Sequence, residues 1–286
     1  MIYLVRRPPR PPRQTIPPMR LPLGFLTIVG IFLAVICGNA SAQNTTYLDL
    51  VDQSISEVNI GAGKFSAEVL PGTAGSGNFD TFLKINASPV EQGYNTSANS
   101  VLDNSNGPWT HDLQVGDLSL VQDLTGKYLV SLGMDLNEPN AAGAKYQSLD
   151  AFQVYVSPFG SQSVLDPSKL GTLIYSMDAL NDNAILLDVN RNSSGGSGRS
   201  DLNIYLDLNL FAGVKKTDYV YFYLKMGAVG LGGAPQYPTL DFSNDGGFDE
   251  LRREYSVQSI ASIPEPSITL LGLVAACGIA LRRSRR

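Results

Sequence analysis

Two cysteines, one histidine and one tryptophan in 286 residues set the first limits on this chain. Cys37 and Cys277 stand near opposite ends, so residues 43–262 contain no cysteine. That stretch can build neither a disulfide framework nor a cysteine-ligated zinc site, and thiol catalysis is closed to it. The single histidine, His111, excludes histidine metal clusters and two-histidine catalysis. Charge is sparse too. Only 16% of residues are charged and 43% are hydrophobic, which excludes a highly charged disordered chain. A formal net charge of −5 offers no basic surface to nucleic acid. No Gly-x-Ser-x-Gly elbow exists, since Ser76 has Ala74 and Asn78 at the flanking positions and Ser197 has Arg199. The glycine-rich loops lack the lysine and following helix of a phosphate-binding loop.

The average charge hides three unlike segments. Residues 1–42 carry five arginines and no acid, and residues 263–286 carry four arginines and one acid, Glu265. Residues 43–262 keep 12 basic and 25 acidic side chains, a formal charge of −13.

Residues 20–42 have the three-part build of a secretory signal: Arg20, an apolar run from Leu21 to Gly38, then Ala40-Ser41-Ala42 before Gln43. The apolar run enters the membrane as a helix, and small residues at Ala40 and Ala42 fit the peptidase pocket. Cleavage after Ala42 is expected; an uncleaved anchor is the alternative. Cys37 makes a poor lipoprotein site because Ile36 stands where a small residue is needed. The Pro/Arg tract before Met19 makes Met19 a second candidate start.

The other end reads Ile263-Pro264-Glu265-Pro266, fifteen largely apolar residues from Ser267 to Leu281, then Arg282-Arg283-Ser284-Arg285-Arg286. As a helix the apolar run would span about 22 Å against a hydrocarbon core of about 30 Å. Snorkelling arginines and local thinning make up the difference. The basic cluster would stay cytoplasmic and leave the preceding chain on the far side. The two prolines hold the recognition stretch extended and accessible. A plain C-terminal anchor and a buried core helix are the other readings. This order of tripeptide, short apolar helix and arginine cluster resembles the PEP-CTERM sorting signal of Gram-negative bacteria. The resemblance implies passage through the Sec machinery and signal peptidase, then recognition by an exosortase through Pro264, Glu265, Pro266 and Arg282, Arg283, Arg285, Arg286. It implies transient anchoring in the inner membrane, then the cell surface or the extracellular matrix.

Between the ends, residues 43–262 suit one β-domain. Period-two alternation places Tyr128, Val130, Leu132, Met134 and Leu136 on one face, with Ser131, Gly133 and Asp135 on the other. The same pattern recurs at Phe152–Val156, Leu202–Leu208 and Val220–Met226, and more weakly at 64–70, 79–86, 110–115, 171–178 and 184–189. Gly, Asn, Asp and Ser clusters punctuate these runs. With no long amphipathic helix between them, the expected class is all-β: a fully antiparallel, jelly-roll-like two-sheet sandwich with one wet face. Leu208–Val214 reads as a single helical turn. The stretches at 75–85, 91–96 (EQGYNT), 134–140 (MDLNEPN), 148–157, 196–206, 218–224 and 244–251 (NDGGFDEL) together resemble an exported β-domain that recurs ahead of PEP-CTERM tails.

Chemistry is thinly marked. His111 beside Trp109 at a strand start suits a surface or packing role better than a catalytic triad, and Trp109 itself reads as core. A glycosidase pair remains open among the 25 acids, but nothing marks two of them as a couple. The clearest site signal is calcium. Asp241, Ser243 and Asp245 before Gly246 follow the opening of an oxygen-ligand loop, whose twelfth position is Arg252 instead of Glu. Asp249 and Glu250 are the substitute ligands, and a solvated acidic turn is the competing reading. Asp188, Asn190 and Asn192 form a weaker echo. Tyr219, Tyr221 and Tyr223 share one strand face beside Lys225 and could stack sugar rings or cover another layer. The four Asn-x-Ser/Thr sequons, at Asn44, Asn86, Asn95 and Asn192, are incidental in a bacterial export route. The expected protein is therefore a non-enzymatic surface or matrix component, with a glycan-binding module and a secreted glycoside hydrolase as alternatives. Exopolysaccharide or envelope components are its expected partners.

Overall fold

Each strongly alternating segment becomes a strand in this computed structural model, which describes residues 45–68, 80–138, 145–192, 200–245, 247–253 and 258–259. Packing divides the chain into Met1–Gln43 and Asn44–Arg286, and the described residues all belong to the second unit. Their strands are β1 (Thr46–Leu50), β2 (Glu57–Ile60), β3 (Gly63–Ser66), β4 (Asp80–Ile85), β5 (Glu91–Tyr94), β6 (Leu113–Gln114) and β7 (Ser119–Gln122). They continue as β8 (Tyr128–Asp135), β9 (Tyr146–Ser157), β10 (Thr172–Ser176), β11 (Asn183–Asp188), β12 (Leu202–Asp207), β13 (Tyr219–Met226), β14 (Asp249–Arg253) and β15 (Gln258–Ser259). Helical structure among the described residues is confined to short 3-10 turns. One is Leu208–Phe211, where a single turn was expected; the Asp207 carboxylate opens it by accepting from the Asn209 amide at 2.9 Å. No helix among the described residues is long and apolar enough to cross a membrane.

The strands form two sheets. One runs β1-β11-β9-β13-β5, with β10 also on β9 and β6 also on β13. The other runs β15-β7-β8-β12-β3-β2, with β14 joining β8 to β4. The second sheet is antiparallel, but the first is mixed, which corrects the fully antiparallel expectation. β1 lies parallel to β11, in register from Thr46 against Asn183 to Leu50 against Leu187. A hairpin turn forces neighbours to be antiparallel. β1 and β11 are joined by most of the domain instead, so nothing local sets their direction.

The core lies between the sheets. Phe152 of β9 meets Phe65 of β3 edge-on at 5.8 Å, stacks on Phe222 of β13 at 6.2 Å and touches Tyr175 of β10 at 5.9 Å. Val130, Leu132 and Met134 of β8, Leu202, Ile204 and Leu206 of β12, and Val220, Phe222, Leu224 and Met226 of β13 are buried in the same cluster. Each fully buried side chain of this kind contributes about 1.5–3 kcal/mol.

The opposite face of the first sheet is also covered, where a wet face was expected. Tyr94, Ala151, Tyr155, Tyr221 and Tyr223 pack there beneath Val101 and Leu170, residues of two long connections. The chain folds these connections over the sheet because the tyrosines offer a broad apolar surface with hydroxyls that reach backbone carbonyls. Trp109 departs from its expected core position and is 53% exposed. It follows Gly107-Pro108 outside the sheets, and its ring lies 5.2 Å from the Lys84 ammonium instead of among the core aromatics.

Candidate functional site

The acidic turn expected to hold calcium does not gather its five residues. Asp241 accepts hydrogen bonds from the Ser243 amide at 3.0 Å and the Ser243 hydroxyl at 2.6 Å, closing a local turn. Asp245 is exposed and donates its amide to the Glu138 carboxylate at 3.0 Å. Asp249 and Glu250 are consecutive on β14, and successive strand side chains point to opposite faces. Asp249 is accordingly 2% exposed and turned inward, whereas Glu250 pairs with Lys84 at 3.7 Å and accepts from the Thr81 hydroxyl at 3.3 Å. The weaker echo is also engaged: Asp188 pairs with Lys145 and caps the Asn190 amide at 3.1 Å. Among the described residues, no three His, Cys, Asp or Glu side chains are grouped so as to hold a metal ion.

Asp249 belongs to a different constellation, which brings together four distant parts of the chain. Its Oδ1 accepts from the Asn137 amide at 2.8 Å. Its Oδ2 accepts from Gln147 Nε2 at 2.7 Å and from Asn244 Nδ2 at 3.4 Å. Glu91, the first residue of β5, is fully buried with its carboxyl in hydrogen-bond contact with Asp249. Its other oxygen accepts from the Ala87 amide at 3.2 Å. Burial, then the Asp249 charge and hydrogen bond, push the Glu91 pKa up to about 11. Glu138 is half-buried just after β8, and burial raises it to about 7 against the opposing Asp245 amide.

Two oxygens in this constellation, Glu138 Oε1 and Gln147 Oε1, have no hydrogen-bond donor. Gln147 is fully buried, like Glu91. The loops meet tightly around them. The Asn244 amide donates to the Pro89 carbonyl at 2.8 Å, and Gly247 lies so close to the Asn137 carbonyl that no side chain would fit. Just before β12, burial raises Asp201 well above its usual pKa, opposed first by the Leu136 amide, which donates to it at 2.9 Å, and last by Arg252.

The tyrosine face has a structural occupation. Tyr221 is fully buried and donates to the Phe159 carbonyl at 2.8 Å, and Tyr223 is 6% exposed and donates to Gln92 Oε1 at 2.8 Å. Tyr94 stands edge-on to Tyr221 at 5.9 Å. Only Tyr219 of the three keeps partial exposure, so the fold offers no ring platform built from Tyr221 and Tyr223. This is a correction of the stacking-face expectation, and it follows from the loops that close over the sheet.

The described residues include two open grooves. One, of about 270 Å³, is lined by Asn59, Lys64, Asp123, Lys127, Tyr205 and Asp207, with the Lys64 ammonium 4.9 Å from the Tyr205 ring centre. Asp123 is held below its usual pKa, mainly by Thr125, and Asp207 by Lys127. The other, of about 360 Å³, is lined by Tyr47, Asp150, Asp182 and Lys225. His111 is half-buried, with Nδ1 2.8 Å from the Asp112 carbonyl. The signal residues Ala40, Ala42 and Gln43 lie outside the described residues. So do the sorting residues Pro264, Glu265, Pro266, Arg282, Arg283, Arg285 and Arg286, with the two helices expected around them.

Glu91 and Glu138 lie in the stretches 91–96 and 134–140, where the sequence marked no site residue, and Gln147 lies outside every such stretch. Compared with known proteins, the chain matches no family model, no curated protein and no solved structure.

Proposed function

We propose that this chain is a non-enzymatic exported protein of the cell surface or extracellular matrix, delivered by its N-terminal signal and sorted through its C-terminal segment. The observation that carries the reading is the order Pro264-Glu265-Pro266, apolar run Ser267–Leu281, four arginines. An exosortase is the partner that this order implies, after the Sec machinery and signal peptidase. The intervening domain is read as a jelly-roll-like sandwich whose role is physical association with polysaccharide or envelope components. Its −13 charge sets the terms of association. Anionic polymer would be repelled unless a cation neutralised part of that charge.

The groove lined by Asn59, Lys64, Asp123, Lys127, Tyr205 and Asp207 favours glycan binding as the second reading, since it combines an aromatic ring with amide, ammonium and carboxylate groups. Replacing Glu265-Pro266 by Ala-Ala and measuring the C-terminal mass of the mature protein tests the sorting reading. Loss of the processed terminus is expected, and an unchanged mature terminus refutes it. A glycan array with Tyr205→Ala tests the second reading, which fails if wild type and variant give the same signal.

A further inference from the structure

We propose that the larger groove, on the face of the first sheet turned away from the core, is a binding site for a neutral sugar residue of a polysaccharide. The proposal goes beyond the Tyr205 groove and does not depend on it.

Strand register builds the groove. Tyr47 of β1 lies opposite Ala184 of β11, and Ile185 of β11 lies opposite Leu149 of β9. Ile185 and Leu149 enter the core, so Ala184 and Tyr47 face the other way. On its other side β9 gains a residue against β13. Lys225 opposes Ala151 and Met226 opposes Leu149, which leaves Asp150 as the extra residue of a bulge. A bulge re-aims a side chain, and here the Asp150 carboxyl joins Tyr47 and Lys225 along the groove. Ala151 and Ala184, 8% and 2% exposed, are too short to fill the space between them. The resulting cleft of about 360 Å³ falls at the lower end of the range of about 300–1,000 Å³ for small-ligand sites.

Most of its walls are fixed before any ligand arrives. The Tyr47 hydroxyl donates to the Gly233 carbonyl at 2.9 Å, and Asp182 accepts from the Thr45 hydroxyl at 2.5 Å. Asp150 accepts from the Ala228 amide at 2.7 Å and the Ser148 hydroxyl at 3.0 Å. Groups already held in place lower the ordering cost of binding. Each carboxylate keeps lone pairs beyond these bonds. Lys225 differs. Its charge acts on Asp150, but among the described residues its ammonium makes no hydrogen bond and no ion pair.

The pattern of donors and acceptors selects the ligand. Asp150 and Asp182, when ionised, only accept, and Lys225 only donates. An anionic sugar would meet two carboxylates, and an ammonium group would meet Lys225. A sugar hydroxyl donates and accepts at once, so neighbouring hydroxyls satisfy a carboxylate and an ammonium together. The Tyr47 ring and the alanine methyls supply the apolar surface against which the C–H face of a sugar ring packs. The formal charge of −13 on residues 43–262 acts in the same direction, against an anionic polymer.

The test uses the full-length chain, purified in mild detergent, and ligand-observed NMR. The probes are neutral gluco-, manno- and galacto-configured oligosaccharides, with an oligouronate and an oligohexosamine of equal length. At least one neutral oligosaccharide should bind, and the oligouronate should bind at least about tenfold more weakly. Asp182→Asn and Lys225→Met should each weaken the neutral ligand about tenfold or more, the loss of a hydrogen bond to a charged group. Tyr205→Ala should leave that binding in place. If Asp182→Asn does not fold, Lys225→Met, whose aliphatic stem is kept, decides. No binding of any neutral probe at about 10 mM overturns the proposal. So does binding that Lys225→Met leaves unchanged, or an oligohexosamine that binds more tightly than every neutral probe. Loss of all binding in Tyr205→Ala with none in Lys225→Met assigns the sugar to the Tyr205 groove and refutes this one alone.

Discussion

Replacing Asp150 by Asn should flatten part of the dependence of stability on pH. Asp150 sits on β9 at the edge of the larger groove, where its carboxylate accepts from the Ala228 amide at 2.7 Å and from the Ser148 hydroxyl at 3.0 Å. Burial raises its pKa from 3.8 to about 6, against the lowering influence of those bonds and of Lys225. Asp182 lines the same groove and adds negative charge. Between about pH 4 and 6 the folded chain therefore holds this proton more tightly than the unfolded chain. Stability is highest below that window, falls as pH rises through it, and levels off above it. A gap of about two on the pH scale sets a ceiling of about 3 kcal/mol at 1.36 kcal/mol each. The residue is only half-buried, so solvent screening reduces the expected effect to about 1–2 kcal/mol. An asparagine keeps an acceptor for the Ala228 amide and carries no charge. Urea unfolding of wild type and Asp150→Asn, at intervals from pH 4 to 8 in constant salt and without calcium, measures the difference. Glu91, Glu138 and Asp201 titrate in both proteins and cancel. The variant should gain on wild type by about 1–2 kcal/mol between pH 4 and 8. Parallel curves, or a variant that loses ground at high pH, would show that the ionised carboxylate is not a cost to the fold.

Phe152→Ala should cost about 3–5 kcal/mol, because the ring contacts Phe65, Tyr175 and Phe222 at once. A urea midpoint within error of wild type would contradict the assigned core. Arg191 donates to the carbonyls of Leu50, Asp52, Gln53 and Ile55 at 2.8–3.1 Å and so clasps the segment after β1. Arg191→Ala should cost about 1–3 kcal/mol and speed proteolysis within 51–56; unchanged cleavage would remove that role. Trp109 is the sole tryptophan and is 53% exposed, so native fluorescence should be red-shifted and readily quenched by acrylamide. A blue-shifted, protected emission would place the indole in the core instead.

The sequence by itself determined the strands of the inner layers and the charge contrast between the middle and the two ends. Alternation at Tyr128–Leu136, Leu202–Leu208 and Val220–Met226 is a local property. Because side chains in a strand point alternately to two faces, it specifies which residues enter the core. The same locality made Leu208–Phe211 legible as a turn. It says nothing about which distant strand becomes a neighbour, and so the parallel pairing of β1 with β11 was illegible. It also cannot tell whether the second face meets water or a returning loop, which is why Tyr221 and Tyr223 look like a surface stripe in sequence and lie buried in the fold.

The calcium motif failed for a related reason. A loop pattern assumes that residues close in sequence converge, but β14 sends Asp249 inward and Glu250 outward within one step. The polar constellation that does form joins residues 91, 138, 147 and 249, which no local spacing connects. Three of them lie within the stretches 91–96, 134–140 and 244–251, whose resemblance to an exported β-domain was visible without any account of their proximity. Period and composition act over a few residues and are written in the chain, whereas the burial of Glu91 against Asp249 depends on two sheets closing over both. Only the tertiary structure could decide that.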